Sequence, residues 1–422
     1  MLSFAKLTLL VTDRSLRNKV LFVLGALVIF RVLAAIPIPG VDATRLQGFL
    51  DNNQFLGLLN LFSGGGLSTL SIIMLGVGPY ITSSIIMQLM TLIFPRLKAL
   101  YHEEGEAGRK KFVMYSRVLT VPLAILQGFA LIAVLVGQGV IGTLTASALI
   151  VNIAIVTAGS MLLMWLGELI SEFGIGNGIS IIIFAGIVAA LPSTIQQLIF
   201  TFDISQIPVY IGIFALALLS VMGVVAATEA ERPIPITHTK QAGGGAGRGS
   251  VSTYLPLRIN QAGVIPIIFS LSILILPQML GQFLRQFDGA IAQAFSEGLL
   301  FLFNHQTVYG VVYFLLVVFF TYFYTAVTFD PENLASNLQK SGAFIPGVRP
   351  GKTTAEHITF ILSRITLPGA LFLGIIAILP IIVQGVTHIT SLTIGGTALL
   401  IVVSVVIDLV KKIDAQLSMR EY

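Results

Sequence analysis

Long apolar stretches recur along this chain, and they constrain its fold more than any other feature. There are ten, most of them about 20–24 residues long, which is the length a helix needs to cross a bilayer core of about 30 Å. None shows the short alternating pattern of a membrane β-barrel, so the stretches predict transmembrane helices. They lie near residues 20–36, 71–94, 112–136, 148–171, 178–200, 207–228, 259–280, 308–328, 365–386 and 391–410.

The overall composition also indicates a membrane protein. Hydrophobic residues make up 55% of the 422 residues and charged residues only 10%, whereas soluble domains carry about 25% charged residues. The mean hydropathy is +0.94. We therefore expect an integral membrane protein. Disulfides and thiolate metal sites are excluded because there is no cysteine. Arg31 lies inside the first apolar run, which argues against a cleavable signal sequence.

Positive charges predict the orientation of the chain. Of the 24 lysines and arginines, 20 lie in the N-terminal segment, in the loops that follow spans two, six and eight, and in the C-terminal tail. By the positive-inside rule these segments face the cytoplasm. An even number of spans also puts both termini on one side, so we expect both in the cytoplasm.

Two of the predicted cytoplasmic loops, 229–258 and 329–364, are long, charged and rich in glycine and proline. They could be solvated connectors, but loops of this length usually have a function, which favours a docking surface for a cytosolic partner. The run GGGAGRGS at 243–250 lacks the Gly-Lys-Ser/Thr ending of a phosphate-binding loop. We interpret it as a flexible loop tip.

Catalytic motifs are weak in this sequence. The five histidines are scattered, and no Gly-x-Ser-x-Gly elbow appears. Asp408 could suggest an intramembrane acid, but a carboxylate at the cytoplasmic end of the last span is the better interpretation. An intramembrane hydrolase that uses Asp408 stays open as a minor alternative.

Four ionisable residues fall within or at the ends of the spans, where such groups are functional candidates by default: Arg31, Arg117, Glu168 and Glu172. We expect Arg117 and Glu172 to snorkel toward the interface. We expect Arg31 and Glu168 to be structural, paired with helix ends or with neighbours. A secondary transporter, the second alternative, usually has acidic residues at mid-membrane, and that series is missing. A passive conduit or scaffold is favoured.

The stretch FLGLLNLFS at 55–63 is apolar but too short to span, since as a helix it would measure about 14 Å. Three glycines, Gly64, Gly65 and Gly66, join it to the second span. From the residues alone, a helix lying on the membrane surface and a helix folded back into the protein are equally good interpretations.

Several long motifs together resemble the SecY family, the channel subunits of bacterial protein translocases. The similarity runs in order along nearly the whole chain. The motifs are IPIPG (36–40), LFSGGGLS (61–68), LGVGPYITSSIIMQLM (75–90), EGEAGRKK (104–111), MWLGELISEFGIGNGISIIIFAGIV (164–188), TYLPLRINQAGVIPIIF (253–269), GAFIPGVRPGKTTAE (342–356) and GGTALLIVV (395–403).

This resemblance implies an all-α membrane protein with ten helices in two inverted halves, residues 1–204 and 205–422, around a central pore. The family's plug, a short half-helix that blocks the pore from outside, would correspond to residues 55–66. Its apolar residues would be Leu58, Leu59 and Phe62, and the three glycines would form its hinge.

The resemblance also assigns pore and gate residues. The pore ring would consist of Val77, Ile81, Ile183, Ile268 and Ile401, with valine at 77 where the family often has isoleucine. Periodicity alone would make these ordinary packing residues. At the lateral gate, where hydrophobic segments leave for the lipid, the resemblance places Gln88 and Asn260.

Docking residues and partners are implied in the same way. Arg349 matches a family position for the translocation motor and the ribosome, and Arg232, Lys240 and Arg248 extend that basic surface. The segment TEAERPIPITHTKQ has one arginine, Arg232, where the family usually has a pair.

The family further implies a protein in the bacterial cell membrane that is not an enzyme and has no cofactor. Its partners would be SecE-like and SecG-like small membrane subunits, a SecA-type ATPase motor, the ribosome, the lipid bilayer, and secretory and membrane protein substrates. Because no nucleotide motif is visible, the energy would come from outside.

Overall fold

The computed structural model describes residues 13–39, 60, 63–137, 139–142, 144–200, 207–238, 251–285, 289–387 and 393–418. These ranges contain thirteen long or medium helices and one three-stranded sheet. The helices are α1 (Arg14–Ala34), α2 (Gly78–Ile93), α3 (Pro95–His102), α4 (Gly105–Gly137), α5 (Ala146–Phe173), α6 (Gly178–Phe200), α7 (Ile207–Glu229), α8 (Ile265–Leu284), α9 (Ala290–Asn304), α10 (Gln306–Thr328), α11 (Pro331–Lys340), α12 (Lys352–Thr387) and α13 (Thr393–Ser418). The strands are β1 (Glu231–His238), β2 (Val251–Arg258) and β3 (Ala343–Phe344).

Each of the ten predicted apolar stretches overlaps one of these helices. By length and hydropathy alone, six helical segments in the described ranges could cross a membrane: α4, α5, α7, α8, α10 continuing into α11, and α12. A seventh is possible if α2 and α3, which are bent by 116° at Phe94, form one broken span. The protein is therefore a multi-pass membrane protein, and the count of ten spans stays a prediction.

The helices pack around one large apolar core. α2 contacts α4 and α8, α10 contacts α12, and α13 contacts α6, α7 and α12. Buried residues from α1, α2, α5, α6, α8, α10, α12 and α13 all belong to the same cluster. The outer surface is apolar as well. On α7, Phe214 is 73% exposed and Leu219 is 68% exposed, as expected of a helix that faces lipid.

The prediction of a continuous helix from residue 71 was wrong for residues 71–77. These residues form consecutive turns with an isolated bridge at Ser71, and α2 begins only at Gly78. Gly76 has a left-handed backbone, with φ of +59°, which ends any helix running through it. Pro79 lies at the start of α2, where its missing N–H is not needed. The apolar pattern could not show this boundary because the turns are themselves buried.

The helix α9 was not predicted. It lies between the seventh and eighth predicted spans and packs on α8, where the Ser296 hydroxyl donates to the Gly281 carbonyl at 2.8 Å. With 15 residues it measures about 22 Å, which is too short to span. A search for stretches of spanning length passes over a helix of this kind.

The two long loops contain regular structure rather than connectors alone. Strands β1 and β2 form an antiparallel hairpin in which Glu231 pairs with Arg258. Strand β3, from the second loop, adds to β1 through Thr237 and Phe344, so the sheet order is β2-β1-β3. The two loops thereby form one folded module. The predicted glycine-rich loop tip lies outside the described residues.

Candidate pore and gate

The five predicted ring residues all lie in one large buried apolar cluster, and they come from the start of α2 and from three other helices. Val77 and Ile81 lie at the start of α2, and their side chains share one helix face because the Ile81 N–H bonds to the Val77 carbonyl at 3.1 Å. Ile183 lies on α6, Ile268 on α8 and Ile401 on α13. All five belong to the same buried apolar cluster, and each is at most 5% exposed. We call these five residues the apolar collar.

Close backbone packing positions the α6 part of the apolar collar. A Cβ atom added at Gly178, the first residue of α6, would overlap the carbonyl of Gly167 on α5. The Gly178 N–H also donates a hydrogen bond to the Ser171 hydroxyl at 2.8 Å. The start of α6 is therefore fixed against α5, one turn before Ile183.

A turn segment, residues 63–76, precedes the apolar collar and is mostly buried. Irregular backbone at membrane depth is tolerated only where its polar groups are satisfied. Here side chains make many of the hydrogen bonds that this backbone needs. The Ser160 hydroxyl on α5 donates to the Gly76 carbonyl at 2.9 Å, and the Thr69 hydroxyl donates to the Ala34 carbonyl at 2.7 Å. The Leu67 N–H donates to the Ser63 hydroxyl at 3.1 Å. The segment is held by specific hydrogen bonds.

The predicted hinge glycines lie at the start of the turn segment. Gly64 and Gly65 have φ of +67° and +83°, a left-handed backbone that other residues rarely adopt. A side chain at Gly64 would also strike the ring of the buried Phe30, and one at Gly66 would lie 2.7 Å from the Ser71 hydroxyl oxygen. Both conformation and space therefore require glycine here. The predicted plug residues Leu58, Leu59 and Phe62 lie outside the described residues.

Asn260 is buried and Gln88 is half-buried, and each of these predicted gate amides has a buried side-chain oxygen without a described partner. Asn260 donates from Nδ2 to the nearby Gly263 carbonyl at 3.2 Å, while its Oδ1 has no partner among the described residues. The Gln88 Oε1 is also buried without a described partner. No described bond joins these two amides, although their neighbouring helices α2 and α8 are in contact.

A small, mostly apolar cavity between α2, α4 and α8 was missed by the sequence analysis. It has a volume of about 20 Å³, enough for one water molecule, and Thr82, Gln127 and Ser272 are among its lining residues. Ile81 of the apolar collar forms another part of its wall. The signal that could have found it is Gln127, a buried amide in the middle of an apolar stretch.

The intramembrane charges make specific contacts. Arg117 on α4 pairs with Glu168 on α5, with Nε and Oε1 2.7 Å apart, so Glu168 has the structural pairing that we expected. Arg31 donates from Nη1 to the Gly64 carbonyl at 2.9 Å. Asp408 pairs with Lys412, one turn along α13, with an O–N distance of 2.7 Å. Within the described ranges, no three His, Cys, Asp or Glu side chains cluster in a way that could hold a metal ion.

Comparison with known proteins decides the family. The sequence model of the SecY family matches residues 71–410. A protein translocase subunit SecY of Mycobacterium bovis is 40% identical over 427 residues, and the match covers 96% of each chain. The chain belongs to the SecY family.

The fold agrees with solved channels of that family. A SecY structure whose plug domain is described as stabilising the closed state and maintaining a membrane seal has a TM-score of 0.65 at 19% identity, covering 96% of this chain and 93% of the other. The Sec61 channel of a canine ribosome-channel complex has a TM-score of 0.62 at 18% identity, with the same coverage. The protein is a translocase channel subunit and not an enzyme, which decides against the hydrolase and the ion-coupled transporter.

The module formed by the two long loops carries predicted docking residues. Arg232 is exposed on β1, and Arg349 is exposed in the loop between β3 and α12. The sheet and a small apolar cluster with Ile234, Leu257 and Ile345 hold the two loops together. Two of the four predicted docking residues thus belong to one folded unit, and Lys240 and Arg248 lie outside the described residues.

Proposed function

We propose that the apolar collar is the constriction through which this channel passes unfolded polypeptides. Convergence of five apolar side chains from four helices on one buried cluster carries the proposal. The chain would cross the bacterial cell membrane ten times, in inverted halves 1–204 and 205–422, with both termini in the cytoplasm. The distribution of lysine and arginine supports this orientation.

An apolar constriction suits a cargo of variable sequence. It makes no hydrogen bond with any particular side chain, so it places no demand on the cargo. When no chain is present, its walls close on each other, and a narrow apolar passage excludes water and with it ions. The low exposure of all five residues supports such a closed, dry state.

The plug would add a second seal from the outer side of the membrane. Residues 55–66 would form it, hinged at Gly64 and Gly65. The left-handed backbone of both glycines and the tight fit at Gly64 support a hinge at this point. The related SecY structure whose plug maintains a membrane seal supports the same role here.

Hydrophobic segments would leave sideways between α2 and α8, past Gln88 and Asn260. Both amides carry a buried oxygen without a described partner. An unsatisfied buried polar atom costs about 1–3 kcal/mol, so the closed gate would be only marginally stable. A signal segment that separates the two helices would recover part of that free energy.

The cytoplasmic module would receive the partners that supply energy. We propose that Arg232, Lys240, Arg248 and Arg349 contact a SecA-type ATPase or the ribosome, whose RNA is anionic. The fold shared with a ribosome-bound Sec61 channel supports the ribosome as a partner. SecE-like and SecG-like subunits would cover part of the apolar outer surface, for which exposed helices such as α7 offer room.

Cross-linking to a stalled chain tests the collar. The protein has no cysteine, so a single Ile183→Cys substitution provides a unique reactive site. It should cross-link to a cysteine-bearing secretory chain that is stalled in transit. The matched control is Ile211→Cys on α7, because Ile211 is 64% exposed on the outer surface and should react with lipid-soluble reagents only. Labelling of Ile183→Cys by lipid probes alone would remove it from the pore.

A further inference from the structure

The outer end of α1 holds a charged side chain whose role the collar does not explain. Arg31 lies in the last turn of α1, and in the described residues it pairs with no carboxylate. A positive charge is favourable near a helix C-terminus, but a charge placed within a membrane span is costly and usually functional. Its described partner is a backbone carbonyl, that of Gly64.

The chain on the two sides of the hinge glycines is held in different ways. Beyond Gly65, several independent bonds anchor it. The Thr69 hydroxyl bonds to the α1 end at Ala34, the Ile38 N–H donates to the Leu70 carbonyl at 2.8 Å, and the Ile72 N–H donates to the Ile36 carbonyl at 3.0 Å. Backbone pairs of this kind are not released by one side-chain movement.

At and before Gly65, the chain bonds mostly within its own turn: the N–H groups of Gly66 and Leu67 donate to Ser63, and that of Ser68 donates to Asn60. Among the described residues, Arg31 supplies the one side-chain hydrogen bond that reaches Ser63–Gly65 from another element. Gly64 also lies close to Phe30 on α1 and to the backbone of Gly186 on α6, as a Cβ atom added there would approach both. Arg31 is therefore the described polar link between Gly64 and a different element of the fold.

We propose that Arg31 is a positioning residue that keeps the plug hinge in its closed position by binding the Gly64 carbonyl. The inference rests on the proposed plug. The backbone pairs at Leu70 and Ile72 are the fixed anchor, Gly64–Gly65 is the pivot, and Arg31 ties that pivot to α1. Opening the channel would break this charge-assisted hydrogen bond together with bonds inside the turn, and it would leave the anchor intact.

Conductance of the idle channel tests this role. The variants are compared in the reconstituted translocase complex. Losing a hydrogen bond to a charged group shifts an equilibrium by about tenfold, so Arg31→Met should raise the idle ion conductance by about that factor. Arg31→Lys keeps the positive charge at the helix end but has a shorter reach and no planar fork, and it should leak to an intermediate extent. Arg17→Gln, which removes an exposed charge from the same helix, should leave conductance unchanged.

The outcomes separate this role from the alternatives. If Arg31→Met leaks but Arg31→Lys matches the wild type, the charge at the helix end suffices and the tie to Gly64 is wrong. If Arg31→Met stays tight while a deletion of 57–66 leaks, the tie is wrong and the plug proposal stands. If that deletion also stays tight while a stalled chain still cross-links at Ile183, the plug proposal itself fails.

A labelling measurement remains informative if Arg31→Met does not accumulate. Ser63 is fully buried next to the pivot, and the chain has no other thiol, so Ser63→Cys reports on hinge opening. A membrane-impermeant maleimide added from outside should label it faster when Arg31→Lys is also present, by less than the roughly tenfold shift expected of Arg31→Met. Equal labelling rates with and without the Arg31→Lys substitution would overturn the proposal.

Discussion

The apolar collar and the turn segment adjoin each other along the chain, yet different forces hold them. The collar consists of aliphatic side chains from four helices and makes no polar contact through those side chains. The turn segment, residues 63–76, depends on hydroxyl and guanidinium groups that bind specific carbonyls. Apolar contacts are non-directional and re-form around any shape, whereas hydrogen bonds fix one geometry. This difference fits the roles that we propose, in which the collar adapts to the cargo and the turn segment returns to one closed state.

Removing the proposed plug should have the largest effect on the idle channel. Deleting residues 57–66 takes away the outer seal and leaves the collar alone to hold back ions. We expect a large increase in the conductance of idle channels in planar bilayers, while secretory chains still cross. Unchanged conductance would show that the collar seals without help.

A polar residue in the collar tests whether dryness comes from the aliphatic side chains. Ile81→Asn should let water enter, since a buried amide without a partner costs about 1–3 kcal/mol and favours a wetted passage. We expect idle conductance to rise by about tenfold with translocation retained. Ile211→Asn on the exposed face of α7 is the control, and an equal leak from it would point to general destabilisation.

The hinge glycine can be tested by stability rather than conductance. Gly64→Ala forces a side chain into left-handed backbone and against Phe30, which should destabilise the protein by about 1–3 kcal/mol and lower the Tm. Gly212→Ala on α7 is the matched control. Its site is open and helical, and alanine there should raise stability slightly. A Tm for Gly64→Ala equal to that of the wild type would contradict the assigned geometry.

The smallest effect is expected at the Arg117–Glu168 pair, which links α4 to α5. Because Arg117 is 47% exposed, removing the pair should cost only about 1 kcal/mol or less. Glu168→Gln should lower the Tm slightly, and Glu172→Gln, an exposed carboxylate one turn on, should not. A double-mutant cycle with Arg117→Gln measures the coupling, and zero coupling would show that the ion pair is incidental.

Much of the fold followed from the sequence because hydrophobicity and charge act locally. The apolar stretches predicted helices that the structure contains, and the glycines at 64 and 65 predicted a turn that their positive φ values show. The motifs that resemble the SecY family predicted the family and its channel function. The loops predicted a possible docking surface, but the sheet that joins β1 to β3 depends on residues more than a hundred positions apart.

Tertiary structure alone decided the features that need distant residues to meet. Ile81 and Ile401 lie more than three hundred residues apart, and only packing brings them into one cluster. The start of α2 at Gly78 was hidden because buried turns are as apolar as a buried helix. The bond from Arg31 to Gly64 could not be read from the chain, since a lone arginine in a span is equally consistent with snorkelling, pairing or capping. The sequence by itself determined the local structure and environment that each segment favours. The folded chain decided which segments pack together and which polar groups form hydrogen bonds.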